Sequence, residues 1–271
     1  ALAYHQARGE GQRRVLVGRQ KAYHGINFGG LSVGGIGLNK GQFGTLYPDA
    51  KHMRHTQILP ENAFKRGQPE HGAFLAEDLE EICQTYGAHT IAACIVEPVS
   101  GAGGVFPPPV GYLERLREIC DKHGILLIFD EVITGFGRTG RWLALQDPAL
   151  QGRRPDLVCI GKGMAGGYPI SACLGTAAVM DAWGASRGEA LHTQTFLGNP
   201  VGSAMALATS YRTRLPLQRY DDRQWIEIGN TGYPYYEQDG HTMLSGLSLT
   251  RWFATGSSNA MVTPPPGKGS A

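Results

Sequence analysis

The sequence predicts an α/β fold with a mostly parallel sheet flanked by helices, and three observations carry this prediction. From residue 75 to about residue 183, segments with apolar residues at helical spacing alternate with short apolar runs. The short runs are apolar at nearly every position, as expected of strands that are covered on both faces. Their order of strand, helix, strand, loop and strand is typical of right-handed crossover units in a parallel sheet.

The individual elements follow one another in chain order. The predicted helices are 75–85 and 111–123, and the predicted strands are 91–96, 125–129 and 157–160. Gly124 directly follows the second helix and is a typical stop signal. The glycine-dense stretch 29–44 lacks the strand–helix setting of a dinucleotide-binding fingerprint, and we therefore predict a flexible or tightly turned loop there.

The composition is typical of a globular, soluble protein rather than a disordered one. The chain has 271 residues, of which 42% are apolar and 18% charged, and its formal net charge is +2. This charge gives no reason to expect nucleic acid or a membrane surface as partner. The five cysteines include no C-x-x-C pair. We therefore expect structural thiols in a cytoplasmic protein rather than disulfides or metal ligands.

Two polar residues end two of the predicted strands. Asp130 ends the run ILLIFD and Lys162 ends LVCIGK. Because ligands of parallel sheets bind at the carboxyl ends of the strands, both side chains are expected at one crevice. An amine and a carboxylate together suit pyridoxal 5′-phosphate (PLP), since the amine forms a Schiff base and the carboxylate pairs with the protonated pyridine nitrogen. An ordinary salt bridge is the alternative on spacing alone.

Several short motifs extend this pattern and resemble, in order and spacing, the class III PLP-dependent aminotransferases. They are Tyr23–His24–Gly25, Ile95–Val96–Glu97–Pro98, Leu127 to Val132 (LIFDEV), Gly135 to Gly140 (GFGRTG), Gly161–Lys162–Gly163, and His192 to Phe196 (HTQTF). The resemblance implies the large domain of fold type I, here incomplete. It covers residues 1–208, which we predict to be a partial PLP-binding domain, and leaves 209–271 as an unassigned C-terminal segment, non-native or disordered.

The resemblance implies a role for each matching residue. Lys162 is similar to the lysine that holds PLP and then moves a proton between substrate and cofactor. Asp130 would keep the pyridine nitrogen protonated, while Tyr23 would stack on one ring face and Val132 would pack on the other. The alternatives are that Tyr23 is an ordinary core aromatic and that Val132 is ordinary strand packing.

Three further residues are implied in cofactor binding. Glu97 would support the hydroxyl side of the cofactor, and His24 belongs to the same binding motif as Tyr23. Thr195 would reach the phosphate of the neighbouring subunit's cofactor, because the sites of this family lie at a dimer interface. The alternatives are a strand-end pairing of Glu97 with a backbone amide and a helix cap at Thr195. The histidines show no metal-ligand spacing, and no metal site is predicted.

The implied reaction is amino transfer from an ω-amino acid or amine to a 2-oxo acid such as pyruvate. Ile133, which follows the DEV motif, makes the chain resemble the ω-amino acid–pyruvate branch, and a homodimer is implied. An aminomutase, a decarboxylase or a catalytically incompetent fragment are the alternatives. In the family, a phosphate-binding turn would precede the helix that Ala1 continues, so we expect a fragment that alone binds PLP poorly.

Overall fold

A computed structural model of the chain describes residues 1–44, 46–58, 61–62, 66–147, 154–182 and 195–212, together with three short strands further on. Seven strands form one sheet in the order β2-β1-β3-β4-β5-β6-β7. They are β1 (Val15–Arg19), β2 (Ala50–Met53), β3 (Ile91–Val96), β4 (Leu126–Asp130), β5 (Leu157–Ile160), β6 (Ala172–Thr176) and β7 (Trp225–Ile228). The neighbours from β2 to β5 are parallel, whereas the β5–β6 and β6–β7 pairs are antiparallel. The predicted mostly parallel sheet is confirmed.

Helices flank this sheet, and most are short. The described helices are α1 (Leu2–Ala7), α2 (Phe28–Val33), α3 (Gly37–Gly41), α4 (Glu77–Tyr86), α5 (Tyr112–His123), α6 (Ala177–Met180) and α7 (Pro200–Arg212). The predicted helices correspond to α4 and α5, and the predicted strands to β3, β4 and β5, within one or two residues. Gly124 ends α5 in the left-handed region with a φ of 65°, as the stop signal predicts.

The two faces of the sheet bury different side chains because neighbouring strand residues point in opposite directions. In β4, Leu127 and Phe129 join the larger core cluster, to which Leu79 of α4 and Leu116 of α5 belong. Each such buried side chain contributes roughly 1.5–3 kcal/mol. Leu126 faces a smaller cluster on the opposite side, which is packed against α1 and includes residues of α6. Apolar clusters therefore cover both faces of the sheet, and the carboxyl ends of its strands remain available for a functional site.

The prediction of a loop over the glycine-dense stretch 29–44 is wrong, because α2 and α3 lie within or across it. The glycines there allow close packing. A Cβ on Gly18 of β1 would lie 2.0 Å from the carbonyl oxygen of Val33, and one on Gly30 would lie 2.2 Å from that of His24. Only glycine lets α2 approach the chain this closely.

The segment after residue 208 is described only in part. Helix α7 crosses the predicted boundary, and β7 joins the sheet beside β6. Strands β8 (Pro234–Tyr236) and β9 (Met243–Ser245) form an antiparallel pair. The rest of 213–271 lies outside the described residues, and the predicted division of the chain stays a prediction. Within the described part, no helix has the length and apolar character needed to cross a membrane.

Candidate active site

The carboxyl edge of β4 and β5 brings two of the predicted residues to neighbouring strand ends. Asp130 is the last residue of β4, and its backbone partner on the parallel strand β5 is Cys159. Lys162 follows three positions later and begins a 3-10 turn that runs to Ala165. The acid and the amine therefore lie at one rim of the sheet, as expected for a ligand site of a parallel sheet.

Asp130 is held by two hydrogen bonds. Its Oδ2 lies 2.9 Å from Nδ1 of His24, and its Oδ1 accepts the backbone N–H of Val132 at 3.0 Å. The side chain of His24 is only 2% exposed and that of Asp130 12%. Because an ionised carboxylate only accepts, the Nδ1–H of His24 is the donor. The buried Nε2 of His24 has no partner among the described residues. The Nε2 atom of His24 can therefore form a hydrogen bond with a further polar group at the site.

Lys162 differs from an ordinary surface lysine in its backbone and its surroundings. Its φ is 39°, in the left-handed region, where a non-glycine residue costs on the order of 1–3 kcal/mol. The side chain is exposed, and within the described part of the chain its amine has no hydrogen bond or ion pair. Strain of this kind, together with an uncommitted amine, is typical of a functional position.

The turn that carries Lys162 packs against the loop that follows Asp130. A Cβ on Gly161 would lie 3.5 Å from Cγ1 of Val132, and one on Gly163 would lie 3.2 Å from Cβ of Phe136. These glycines let the two loops come into contact. The close approach fixes the position of Lys162 relative to Asp130 through the backbone rather than through a direct bond.

Glu97 connects the Tyr23–His24 segment to the end of β3. Its side chain is buried, its Oε1 accepts the backbone N–H of Tyr23 at 3.1 Å, and its Oε2 accepts that of Gly101 at 2.7 Å. These contacts match the alternative prediction, in which Glu97 pairs with backbone amides at the end of the strand. Glu97 thereby orients the segment from which His24 reaches Asp130. Whether it also supports the cofactor stays a prediction.

No role was predicted for Glu131 from the sequence, although its side chain is fully buried. Its carboxylate accepts the hydroxyl of Thr134 at 2.5 Å and the backbone N–H groups of Ala144 and Leu145, each at 2.8 Å. Burial raises the pKa of Glu131, and these three hydrogen bonds oppose the rise. The residue holds the turn after Asp130 against the 144–146 turn. An acid inside the apolar run IFDEVI was the available signal.

Thr195 is exposed in the turn before α7, and no described contact joins it to the other candidates. The alternative that it caps the helix is wrong, because Oδ1 of Asn199 accepts the N–H groups of Val201 and Gly202, both at 3.0 Å. Pro200 then takes the first helical position, where proline is favoured. His192 of the same motif lies outside the described residues. The phosphate role of Thr195 stays a prediction.

Known proteins are similar to this chain over the residues that form the candidate site. The family model described as aminotransferase class-III matches residues 1–212. The chain belongs to the class III aminotransferases. An omega-aminotransferase of Caulobacter vibrioides is 48% identical over 237 residues, which are 86% of this chain and 52% of that protein. A beta-alanine–pyruvate aminotransferase of Pseudomonas aeruginosa is 43% identical over 218 residues, 77% of this chain and 47% of that protein.

Solved structures of transaminases have the same fold. An amine transaminase from an uncultivated Pseudomonas species, determined in its PLP-bound form, superposes with a TM-score of 0.71 at 39% identity and covers 78% of this chain and 48% of its own. An omega-transaminase from Thermomicrobium roseum gives a TM-score of 0.71 at 35% identity, covering 78% of this chain and 46% of its own. The fold type I assignment is confirmed. This aminotransferase chain spans about half the length of its curated relatives.

Proposed function

We propose that the protein to which this chain belongs is a PLP-dependent transaminase. It moves an amino group from an ω-amino acid or amine to a 2-oxo acid such as pyruvate. Membership of class III supports the reaction type, and the names of the relatives from Caulobacter and Pseudomonas support the donor and acceptor classes. The observation that carries the proposal is the uncommitted Lys162 amine at the strand end next to a carboxylate fixed by His24.

The donors and acceptors at this edge fit PLP. The cofactor needs an amine that it can attach to, an acceptor for its protonated ring nitrogen and apolar contacts on its ring faces. Among the described residues the amine of Lys162 has no partner, and Asp130 is a partly exposed carboxylate that two donors already orient. Tyr23 and Val132 are half-buried at the same site and offer the apolar contacts. The Nε2 of His24, which has no partner within the described part of the chain, adds a polar atom near the carboxylate.

Each residue then has a physical task. PLP, when bound, supplies an electron sink that stabilises negative charge at the substrate carbon. The Nζ atom of Lys162 would hold the cofactor and, when free, would carry a proton between the substrate carbon and a carbon of the cofactor. Asp130 would hold the ring nitrogen protonated. His24 keeps that carboxylate oriented because its Nδ1–H donates to Oδ2.

The remaining roles concern positioning. Tyr23 and Val132 would hold the ring between them, and Glu97, which accepts the backbone N–H of Tyr23, would support the hydroxyl side of the cofactor. Thr195 would bind the phosphate of the partner subunit's cofactor in a homodimer. Exposed Phe196, close to Thr195 in the chain, supports that interface, since a large exposed apolar side chain favours burial against a partner. The five free thiols support a cytoplasmic location.

An amino-transfer assay with a matched pair of lysine variants tests the proposal. The intact protein is given β-alanine or another ω-amino acid with pyruvate, and alanine formation is measured. Lys162→Ala should lower the rate by about 10²–10⁴-fold or more, because it removes the proton-transferring amine. Lys21→Ala is the control, since Lys21 is also exposed at a strand end with a positive φ of 60°. It should retain wild-type activity.

Two results would contradict the proposal. One is that Lys162→Ala keeps the wild-type rate. The other is that PLP-loaded wild-type protein forms no alanine from any ω-amino donor.

A further inference from the structure

Cys159 of β5 and Cys173 of β6 face each other on neighbouring antiparallel strands of the described sheet. In the register of β5 and β6, Cys159 is the backbone partner of Cys173. The five cysteines showed no paired spacing along the sequence, so this pair arises from the fold alone.

Backbone hydrogen bonds identify the kind of pair that the two cysteines form. The carbonyl of Cys159 accepts the N–H of Glu131, at 2.8 Å, and is therefore directed toward β4 and away from β6. The N–H of Thr176 donates to the carbonyl of Asp156 at 3.0 Å, so that position is hydrogen-bonded across β5 and β6. Because the two types of pair alternate along an antiparallel ladder, Cys159 and Cys173 form a non-hydrogen-bonded pair.

This geometry suits a disulfide. In a non-hydrogen-bonded pair the two Cα atoms lie about 4.5 Å apart, and the side chains are closer than in the other kind of pair. Disulfides span Cα separations of about 4.4–6.8 Å. The interaction between the two thiols lowers the pKa of Cys173 and raises the pKa of Cys159. Cys173 is therefore the thiol that reaches its reactive thiolate form first.

Exposure separates this pair from the other cysteines. Cys159 and Cys173 are partly exposed, whereas Cys83, Cys94 and Cys120 are buried. Thiols that an oxidant can reach are oxidised first. The thiol of Cys94 raises the pKa of the neighbouring Cys120, and both residues are buried, so this second pair lacks this access.

We propose that Cys159 and Cys173 are a thiol–disulfide modification site, oxidised by a small disulfide such as glutathione disulfide. The thiolate of Cys173 attacks one sulfur of the small disulfide and releases one thiol. Cys159 then attacks the mixed disulfide at the sulfur of Cys173 and releases the second thiol. The protein dithiol is oxidised to one S–S bond, and the small disulfide is reduced to two thiols.

The site lies next to the candidate active site. Cys159 is the register partner of Asp130 and precedes Lys162 by three residues. Parallel partners project from the same face of a sheet, and the Asp130 carboxylate contributes to the raised pKa of Cys159. Oxidation would therefore tie β5 to β6 directly below the turn that carries Lys162.

Mapping of the cysteines in the native protein tests this inference. The intact protein is incubated with glutathione disulfide, its remaining thiols are blocked with N-ethylmaleimide in denaturant, and the unreduced digest is analysed by mass spectrometry. The expected result is a peptide in which Cys159 and Cys173 are joined, with loss of both maleimide labels and their return after dithiothreitol. Cys94 and Cys120 are the internal control and should stay labelled.

Single variants test the order of the two steps. Cys159→Ser should stop at a glutathione adduct on Cys173, because no second thiol is present to displace it. Full labelling of Cys159 and Cys173 in the wild type, while Cys94 and Cys120 are oxidised, would overturn the inference. Stable glutathione adducts on both residues, with no joined peptide, would overturn it as well. Both of these results come from wild-type protein and do not depend on whether the variant folds.

Discussion

The carboxyl edge of the sheet carries similar residues in two places, and their neighbours differ. At the ends of β4 and β5 lie Asp130 and Lys162, with His24 in contact. Beyond β1 and β2 lie Lys21 and His55. Both lysines have a positive φ, 39° for Lys162 and 60° for Lys21. Both histidines have a buried Nε2 without a partner among the described residues.

The two places differ in the residues that surround the lysine and the histidine. The amine of Lys21 is committed, since it lies 3.4 Å from Oε1 of Gln57 and 5.6 Å from the centre of the Phe106 ring. His55 lies near cations. Burial, together with the charges of Arg19 and Lys21, lowers the pKa of His55 to about 4. In contrast, His24 faces the carboxylate of Asp130, and Lys162 has no described partner.

This comparison shows that residue type and strand-end position do not by themselves identify a site. A lysine and a histidine occur at both places. Only one place combines an uncommitted amine with an oriented carboxylate that is still partly exposed. The assignment of function to Lys162 and Asp130 therefore rests on their surroundings, and changes to those surroundings are the way to test it.

Among changes to the surroundings of Lys162, the largest expected effect comes from removal of the charge of Asp130. Asp130→Asn keeps the shape of the side chain but offers a neutral amide, which cannot hold a ring nitrogen protonated. We expect kcat/KM for amino transfer to fall by about 10²–10³-fold, the range found when one preorganised electrostatic partner is removed. Steady-state kinetics with saturating PLP measure this.

Asp49→Asn is the matched control for that substitution. Asp49 pairs with Arg14 at 3.4 Å at the opposite edge of the sheet, and exposed pairs of this kind contribute little. Its activity should equal that of the wild type. Equal kcat/KM values for the Asp130 and Asp49 variants would remove the distinction between the two carboxylates.

A smaller effect is expected from His55, on the pH dependence of the free energy of unfolding. The folded pKa of His55, about 4, lies below its usual value of 6.5. The unfolded chain therefore binds the proton first as the pH falls. The stability that neutral His55 contributes is complete above pH 6.5 and is lost as the pH falls toward 4. At roughly 1.4 kcal/mol per pKa unit, discounted for screening by solvent, the loss is on the order of 1–2 kcal/mol.

Denaturant unfolding across this pH range measures the loss. The free energy of unfolding of His55→Gln should fall less steeply on acidification than that of the wild type. His89→Gln, which changes an exposed histidine, should keep the wild-type slope. Parallel curves for the wild type and His55→Gln would show that His55 does not titrate as its surroundings predict.

The sequence predicted the elements whose apolar residues form a clear pattern. Helix α5 has a helical period and strands β3 and β5 are continuous apolar runs, and the parallel arrangement predicted that Asp130 and Lys162 lie at one edge. The helices in the glycine-dense stretch were missed because their glycines serve close packing, which has no periodic signal. Tertiary contact produces helical turns there despite a poor intrinsic propensity.

Contacts between distant parts of the chain could not be predicted. His24 and Asp130 are separated by 106 positions, and their hydrogen bond depends on the loop after β1 crossing to the end of β4. The Cys159–Cys173 pair depends on the antiparallel register of β6, which a crossover pattern does not predict. The role of Glu131 depends on backbone N–H groups 13 and 14 residues away.

The most direct test of the central claim is to locate the lysine that binds PLP. The PLP-loaded intact protein is reduced with borohydride, digested and analysed by peptide mass spectrometry. Lys162 is predicted to carry the phosphopyridoxyl group, and Lys162→Ala is predicted to carry it nowhere in stoichiometric amount. Stoichiometric modification of Lys21 or another lysine, with Lys162 unmodified, would contradict the assignment of the site.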